Sequence, residues 1–304
     1  MMRWTDRMTS LVLLRKRMTQ WRYSAHPLFV LLMIAAAIVG LLPQALLLFV
    51  VVFLHEMGHA VAAELHGCKV KKVTLLPFGG VAELEYGAMG FRPRVEASIA
   101  VAGPAVNLLL IGISVLLSGN IHMIEFAREL FDLNLWILLF NLLPALPLDG
   151  GRILRAIRSR EIGYELATRE AFRMAFWASG AALLLGLASL ATGRPHLGAL
   201  MLGVFLLLSA LGGRRRVRVE TMQFLTQRTA LTQARNHPVL SLAVSKDSLL
   251  RDVAIRCSPD RYILLYVLDT DGRVMGIIDE SEVLQAAFRG DWLLRVGDLL
   301  RQLT

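Results

Sequence analysis

Apolar residues gather into long uncharged runs up to about residue 213; beyond it, polar and apolar positions alternate on a shorter scale. Six runs approach the roughly 20 residues that a helix needs to cross a bilayer. They cover about Pro27 to Leu42, Ala45 to Leu65, Val95 to Leu117, Leu133 to Ile153, Ala175 to Ala191 and Leu197 to Leu211. The pattern predicts a polytopic α-helical membrane domain of six spans over residues 1–213, followed by a soluble α/β domain over 214–304.

Two stretches depart from that scheme of helices. Between the second and third runs, Val70 to Glu85 reads as two strand-like segments around Pro77-Phe78-Gly79-Gly80, where proline and paired glycines supply turn chemistry. One reading is a surface hairpin. The other is a membrane-associated hairpin beside the active site, whose free edge near Phe78, Gly79 and Gly80 pairs with an extended substrate. After residue 217, the pattern predicts strands at Tyr262–Leu268 and Arg273–Ile278, an Asp269–Gly272 turn between them, and a helix from Ser281 to Phe288.

Composition supports the membrane assignment. Of 304 residues 55% are hydrophobic and 19% charged, with a mean hydropathy of +0.55; a soluble domain of this size carries more charge. The formal net charge is +9, which in a soluble protein points to nucleic acid. Here no basic stripe interleaved with aromatics accompanies it, and nucleic-acid binding is not expected. The excess sits in alternate loops instead. Arg3, Arg7, Arg15, Lys16, Arg17 and Arg22 precede the first run, Lys69, Lys71, Lys72, Arg92 and Arg94 follow the second, Arg152, Arg155, Arg158 and Arg160 follow the fourth, and Arg214, Arg215 and Arg216 follow the sixth. The opposite loops hold only Arg128 and Arg194. Positive-inside bias then places both termini in the cytosol. Cys68 and Cys257 lie far apart and suggest neither a disulfide framework nor a thiolate metal site. No cleavable signal peptide is evident at the basic amino terminus.

The chemistry centres on His55-Glu56-Met57-Gly58-His59 in the second run. Residues four apart share a helix face, so both imidazoles can bind one metal ion. Glu56 lies near that face and can take a proton from water that the metal activates. Ionisable groups in an apolar span cost about 2.5 kcal/mol or more each, and they persist there when paired or bound. The third ligand a catalytic zinc requires is best supplied by Asp149, in Asn141-Leu-Leu-Pro-Ala-Leu-Pro-Leu-Asp149-Gly150-Gly151 at the end of the fourth run. Pro144, Pro147 and the two glycines are expected to break the helix and let the backbone wrap round a ligand. His66 shares the face of His55 and His59, but sits roughly 10 Å beyond His59 at 1.5 Å of rise per residue; it is left out. His26, His122, His196 and His237 read as loop or interface residues.

HExxH in one span and N-x(2)-P-x(2)-P-x-D-G in a later one resemble the site-2 protease family of intramembrane zinc metalloproteases. The form NLLPALPLDGG is similar to the sporulation-type branch, which removes the pro-sequence of a membrane-associated sigma factor precursor. The resemblance covers nearly the whole chain. It implies one Zn2+ per chain on His55, His59 and Asp149, Glu56 as catalytic acid/base, and Asn141 and Pro147 shaping the substrate cleft. Gly103-Pro104-Ala105-Val106-Asn107 resembles a further family element: the Asn107 amide either contacts the substrate backbone and steadies an oxyanion, or makes an interhelical hydrogen bond.

The tail, with Val239 to Val244, a helix from Leu249 to Ile255 and Gly276-Ile277-Ile278-Asp279-Glu280-Ser281-Glu282, resembles a CBS domain. Such modules work in pairs, which implies a homo-oligomer. The resemblance also implies an adenine nucleotide such as ATP, with Glu282 on the ribose and Asp279 where a Ser or Thr is usual; the alternative is a purely structural dimerisation module. Other expected partners are a membrane-associated protein substrate and inhibitory membrane proteins. Two rival readings remain. In a zinc transporter Glu56→Gln would leave transport intact; a non-catalytic scaffold is at odds with an intact HExxH and Asp149.

Overall fold

A computed structural model describes residues 22–25, 27–76, 79–85, 92–192, 196–231, 238–259 and 261–303. They fall into two compact units. One takes in residues up to 89, 95–143 and 148–150; the other takes in 90–94, 144–147 and everything from 151.

In the first unit, β1 (Arg22–Ala25) is followed by α1 (Pro27–Val39) and α2 (Leu42–Leu65), then β2 (Lys69–Leu76), β3 (Gly79–Glu85), α3 (Pro93–Leu117) and α4 (Ile124–Asn141). β2 and β3 pair antiparallel from Leu76↔Gly79 outward, and β1 adds to β2 in parallel. The order β1-β2-β3 leaves β3 as an edge strand among the described residues. Cys68 and Val70, where β2 begins, join Ala60, Ala63 and Ile99 in a buried cluster. Glu64 Oε1 fixes the exit from α2 by accepting from the Val70 N–H at 3.1 Å. β1 was not expected from the sequence, since four residues reading RYSA carry no strand period.

α5 (Asp149–Ile162) starts in the first unit and from Gly151 belongs to the second, where it leads through Gly163 into α6 (Tyr164–Ala191), which packs along α7 (Leu197–Leu231). The C-terminal module follows as β4 (Val239–Ser245), α8 (Leu250–Ala254), β5 (Tyr262–Leu268), β6 (Val274–Asp279), α9 (Glu280–Arg289) and α10 (Val296–Leu303). β5 is central, parallel to β4 and antiparallel to β6. Its alternating Ile263, Leu265 and Val267 are buried, as a strand with one covered face requires. The module's core also includes Tyr164, Phe224 and Leu225, and the Tyr164 and Phe224 rings stack at 5.1 Å. Gly163 lies at φ +91°, and a Cβ there would meet the Arg256 carbonyl carbon at 2.8 Å. Next to it, the Tyr164 N–H donates to Cys257 O at 3.2 Å. The strands and the helices α8 and α9 of this tail fall where the sequence pattern places them; α10 was not expected.

Among the described residues, α2, α3 and α6 are long and apolar enough to cross a membrane; α1 and Leu197–Gly213 of α7 are shorter apolar helices. Large aliphatic side chains point outward all round: Ile38 is 80% exposed, Leu116 82% and Leu184 70%. A water-facing helix does not carry such a surface.

The fourth apolar run requires a correction. It is not one helix from Leu133 to Ile153. α4 begins at Ile124 and stops at Asn141, residues 142–148 are irregular with a cis Leu146–Pro147 peptide, and Asp149 opens a new helix. Asp149 therefore starts a helix instead of ending a span.

Candidate metal centre

His55 and His59 sit one turn apart on α2, both buried, with their rings edge-on at 4.8 Å. Asp149 is buried in the first turn of α5. Its Oδ2 lies 3.2 Å from His55 Nε2 and 3.1 Å from His59 Nε2, and the two Nε2 atoms are 3.2 Å apart. The three donor atoms thus form a nearly equilateral triangle. Metal–ligand distances near 2.05 Å at tetrahedral angles call for donor separations of about 3.3 Å. Two imidazole nitrogens and one carboxylate oxygen at these separations fit zinc with a fourth position left over. Among the described residues this is the group of His, Cys, Asp and Glu side chains close enough to hold an ion.

Each imidazole is oriented by its other nitrogen. His59 Nδ1 donates to the Ile99 carbonyl of α3 at 2.7 Å. Pro104 has no N–H to offer the turn of α3 that begins at Ala100, which loosens the helix beside this acceptor. His55 Nδ1 donates to Asn107 Oδ1 at 2.5 Å. Asn107 is fully buried and its Nδ2 donates to Asn134 Oδ1 on α4 at 2.9 Å. A metal-binding histidine held this way keeps its Nε2 lone pair for the ion.

Glycines admit the closeness. A Cβ on Gly103 would lie 2.3 Å from His59 Nε2, and one on Gly58 would meet Ala102 O at 2.7 Å, so α2 and α3 touch across these two positions. A Cβ on Gly150 would meet Leu142 O at 2.3 Å. Gly150 and Gly151 are therefore helical residues that the preceding irregular segment crosses, and not the helix breakers the sequence suggested.

The model of peptidase family M50 matches residues 43–124, a segment that carries His55, Glu56, His59 and Asn107. A zinc metalloprotease of Methanocaldococcus jannaschii is 38% identical over 182 residues, 58% of this chain; the chain spans 51% of that protein's length. A protein of Synechocystis sp. assigned as a zinc metalloprotease is 30% identical over 277 residues, 87% of this chain and 70% of the relative. The chain belongs to peptidase family M50. Stage IV sporulation protein FB of Bacillus subtilis is 29% identical over 265 residues, 86% of this chain and 90% of that protein. As an M50 peptidase this chain is a zinc metalloprotease, and with its apolar helices an integral membrane protein.

Within the M50 peptidase the remaining candidates fall out as follows. Glu56 is half-buried on the turn shared with His55. Asn107 makes interhelical hydrogen bonds, its oxygen to His55 and its nitrogen to Asn134. Asn141 closes α4 and its Nδ2 donates to Ile137 O at 3.0 Å. Pro147 lies in the break after it. Neither belongs to the hydrogen-bonded set around the imidazoles. Gly79 and Gly80 begin β3, opposite Leu76 and Leu75; Phe78 lies outside the described residues. His66 caps α2 and meets Ser98 Oγ at 2.5 Å.

In the tail, Asp279 and Glu282 are engaged with each other's backbone. The Glu282 N–H donates to Asp279 Oδ1 and the Asp279 N–H to Glu282 Oε2, both at 2.9 Å. That capping box gives both carboxylates a task in starting α9. Asn134 and Ile99 O were missed. A lone asparagine in an apolar run has no spacing signal, and a backbone carbonyl has none at all.

Proposed function

We propose that this peptidase hydrolyses a peptide bond within or beside the bilayer, in a membrane-associated protein, and that its substrate class is a sigma factor precursor that loses its pro-sequence. The observation that carries the reading is the triangle of His55, His59 and Asp149 donor atoms, with Glu56 on the adjoining turn of an apolar helix. Zinc held there supplies a Lewis acid that makes water nucleophilic near neutral pH. Glu56 takes the proton from the attacking water. As the water oxygen joins the carbonyl carbon and the C–N bond breaks, Glu56 passes the proton to the leaving amine.

A helical substrate hides its carbonyls in its own hydrogen bonds and must be held extended. The unpaired edge of β3, which starts at Gly79, is the candidate for that pairing, with Asn141 and Pro147 lining the cleft. The sporulation name of the B. subtilis relative supports the precursor as substrate. In this reading the chain crosses the membrane six times with both termini cytosolic, the C-terminal module has a CBS fold and pairs with that of a second copy, and an inhibitory membrane protein can occupy the cleft. An adenine nucleotide on this module, with Glu282 toward the ribose, belongs to the same reading; the alternative is a module that serves dimerisation alone.

The test is co-expression of the full chain, wild type or Glu56→Gln, with a candidate sigma factor precursor. A shortened product with wild type and not with Glu56→Gln is expected. Equal processing by both would overturn the assignment of Glu56.

A further inference from the structure

The two zinc-facing imidazoles differ in how their orientation is secured. His59 Nδ1 meets the backbone carbonyl of Ile99. A carbonyl only accepts, so Nδ1 must carry the proton and Nε2 must keep its lone pair. His55 Nδ1 meets the side-chain amide of Asn107 instead. An amide has two ends of nearly equal shape: its oxygen accepts, while its nitrogen donates. Rotated by half a turn, Asn107 would offer N–H to His55 Nδ1. That would favour the imidazole tautomer protonated at Nε2, which cannot bind a metal. Something must choose the end.

The choice is made 27 residues away, on α4. Asn107 Nδ2 donates to Asn134 Oδ1 at 2.9 Å, and Asn134 Nδ2 donates to Leu130 O at 2.7 Å. Asn107 and Asn134 are both fully buried, so neither amide has water as an alternative partner. Leu130 O can only accept. It therefore draws the Nδ2 end of Asn134, which turns Asn134 Oδ1 toward Asn107. That draws Asn107 Nδ2 and turns Asn107 Oδ1 toward His55. A single carbonyl on α4 thus sets the direction of every bond in a line ending at a metal ligand on α2.

We propose that Asn134 is a positioning residue of the zinc centre: through Asn107 it holds the His55 imidazole in the tautomer whose Nε2 faces the metal. The proposal rests on His55 being a zinc ligand. The asparagine pair supplies to His55 what one carbonyl supplies to His59.

The test is zinc affinity of the full chain in detergent, measured by chelator competition on metal-stripped protein. Wild type and His55→Ala serve as references. Partners of metal-binding histidines are worth about 10–100-fold in affinity, and Asn134→Leu is expected to lose that much, as is Asn107→Leu. Asn107→Asp offers only acceptors, so it has no wrong end toward His55 and is expected to retain binding within about threefold of wild type, although its second oxygen opposes Asn134 Oδ1 and lowers the thermal midpoint. Adding Asn134→Leu to Asn107→Asp should then cost nothing further, because the choice of end no longer exists. Asn134→Asp still accepts from Asn107 Nδ2 and is expected to keep affinity within about threefold, even though its lone pairs oppose Leu130 O and lower the thermal midpoint.

Loss of the same factor on adding Asn134→Leu in both backgrounds would show a packing role and overturn the proposal. So would equal losses in Asn134→Leu and Asn134→Asp, and so would unchanged binding in Asn134→Leu. If Asn134→Leu does not fold, Asn134→Ala takes its place in both backgrounds, with the same outcomes for and against. If wild type itself held no zinc, or His55→Ala bound as well as wild type, the metal assignment would fail first, and the two failures are distinguishable.

Discussion

The α-carbon of Gly103 faces the imidazole of His59 so closely that a Cβ built on it would stand 2.3 Å from Nε2, the atom that faces the metal. It would also lie 2.7 Å from Cε1 of His55. Gly103→Ala should therefore displace both rings. The expected outcome is loss of stoichiometric zinc at normal expression. Gly112→Ala on the same helix, with nothing within 4 Å of the added methyl, should bind like wild type. Metal content per purified chain separates the two; equal content would show that the helices part without cost.

Asp149 and Glu56 should fail differently. Asp149→Ala removes one of three donors and should abolish both retained zinc and proteolysis. Glu56→Gln leaves the donor triangle intact, so it should keep its zinc while turnover falls by about 10²–10⁴-fold, the usual worth of a general acid/base. Chelation should silence wild type, with zinc restoring it, and should change nothing in Asp149→Ala.

Gly163 joins α5 to α6 in left-handed backbone, where an added Cβ would stand 2.8 Å from the Ile255 carbonyl oxygen. Gly163→Ala adds a clash to a strained conformation, at a cost of about 1–3 kcal/mol. Amide exchange around Ile255–Cys257 should accelerate, since the Tyr164 N–H would lose its acceptor on Cys257. Unchanged protection there would refute the tight junction.

One ion pair in the C-terminal module gives a pH signature. The Lys246 ammonium bonds the Asp269 carboxylate and, with the Thr270 N–H, holds that carboxyl below its ordinary range. A carboxyl depressed in the folded state contributes stability that is present above its unfolded pKa, about 3.9, and lost as pH falls through the folded value. The denaturation gap between wild type and Lys246→Ala should be open at neutral pH and closed in strong acid. The pair is exposed, so the gap should be small and shrink with salt.

Much of this site could be read from sequence because helix geometry is local. His55 and His59 at a spacing of four must share a face, and Asp149 follows two prolines that no straight helix tolerates. The break itself was misplaced, and the cause is physical. Leu142, Leu143, Ala145, Leu146 and Leu148 are as apolar as the helix before them, and composition cannot tell a span from an irregular segment lined by protein. Gly150 and Gly151 were misread for a related reason: a glycine that frees the backbone and a glycine that admits a neighbour look the same in sequence. Asn134 was out of reach because its meaning comes from Asn107 on α3 and, through it, from His55 on α2. The C-terminal strands were easy, since Tyr262–Leu268 alternates with period two and ends in an Asp-Gly turn.

α7 runs unbroken for 35 residues, about 52 Å at 1.5 Å per residue, although only Leu197–Gly213 is apolar. Its last 18 residues carry Phe224 and Leu225 into the core of the C-terminal module. A flexible linker of that length would let the module wander over about 21–25 Å. A rigid mast fixes its stand-off instead. Adding or removing one residue ahead of Phe224 would turn Phe224 and Leu225 by about 100° around the shaft, given 3.6 residues per turn, and pull them out of register with Tyr164 in that core.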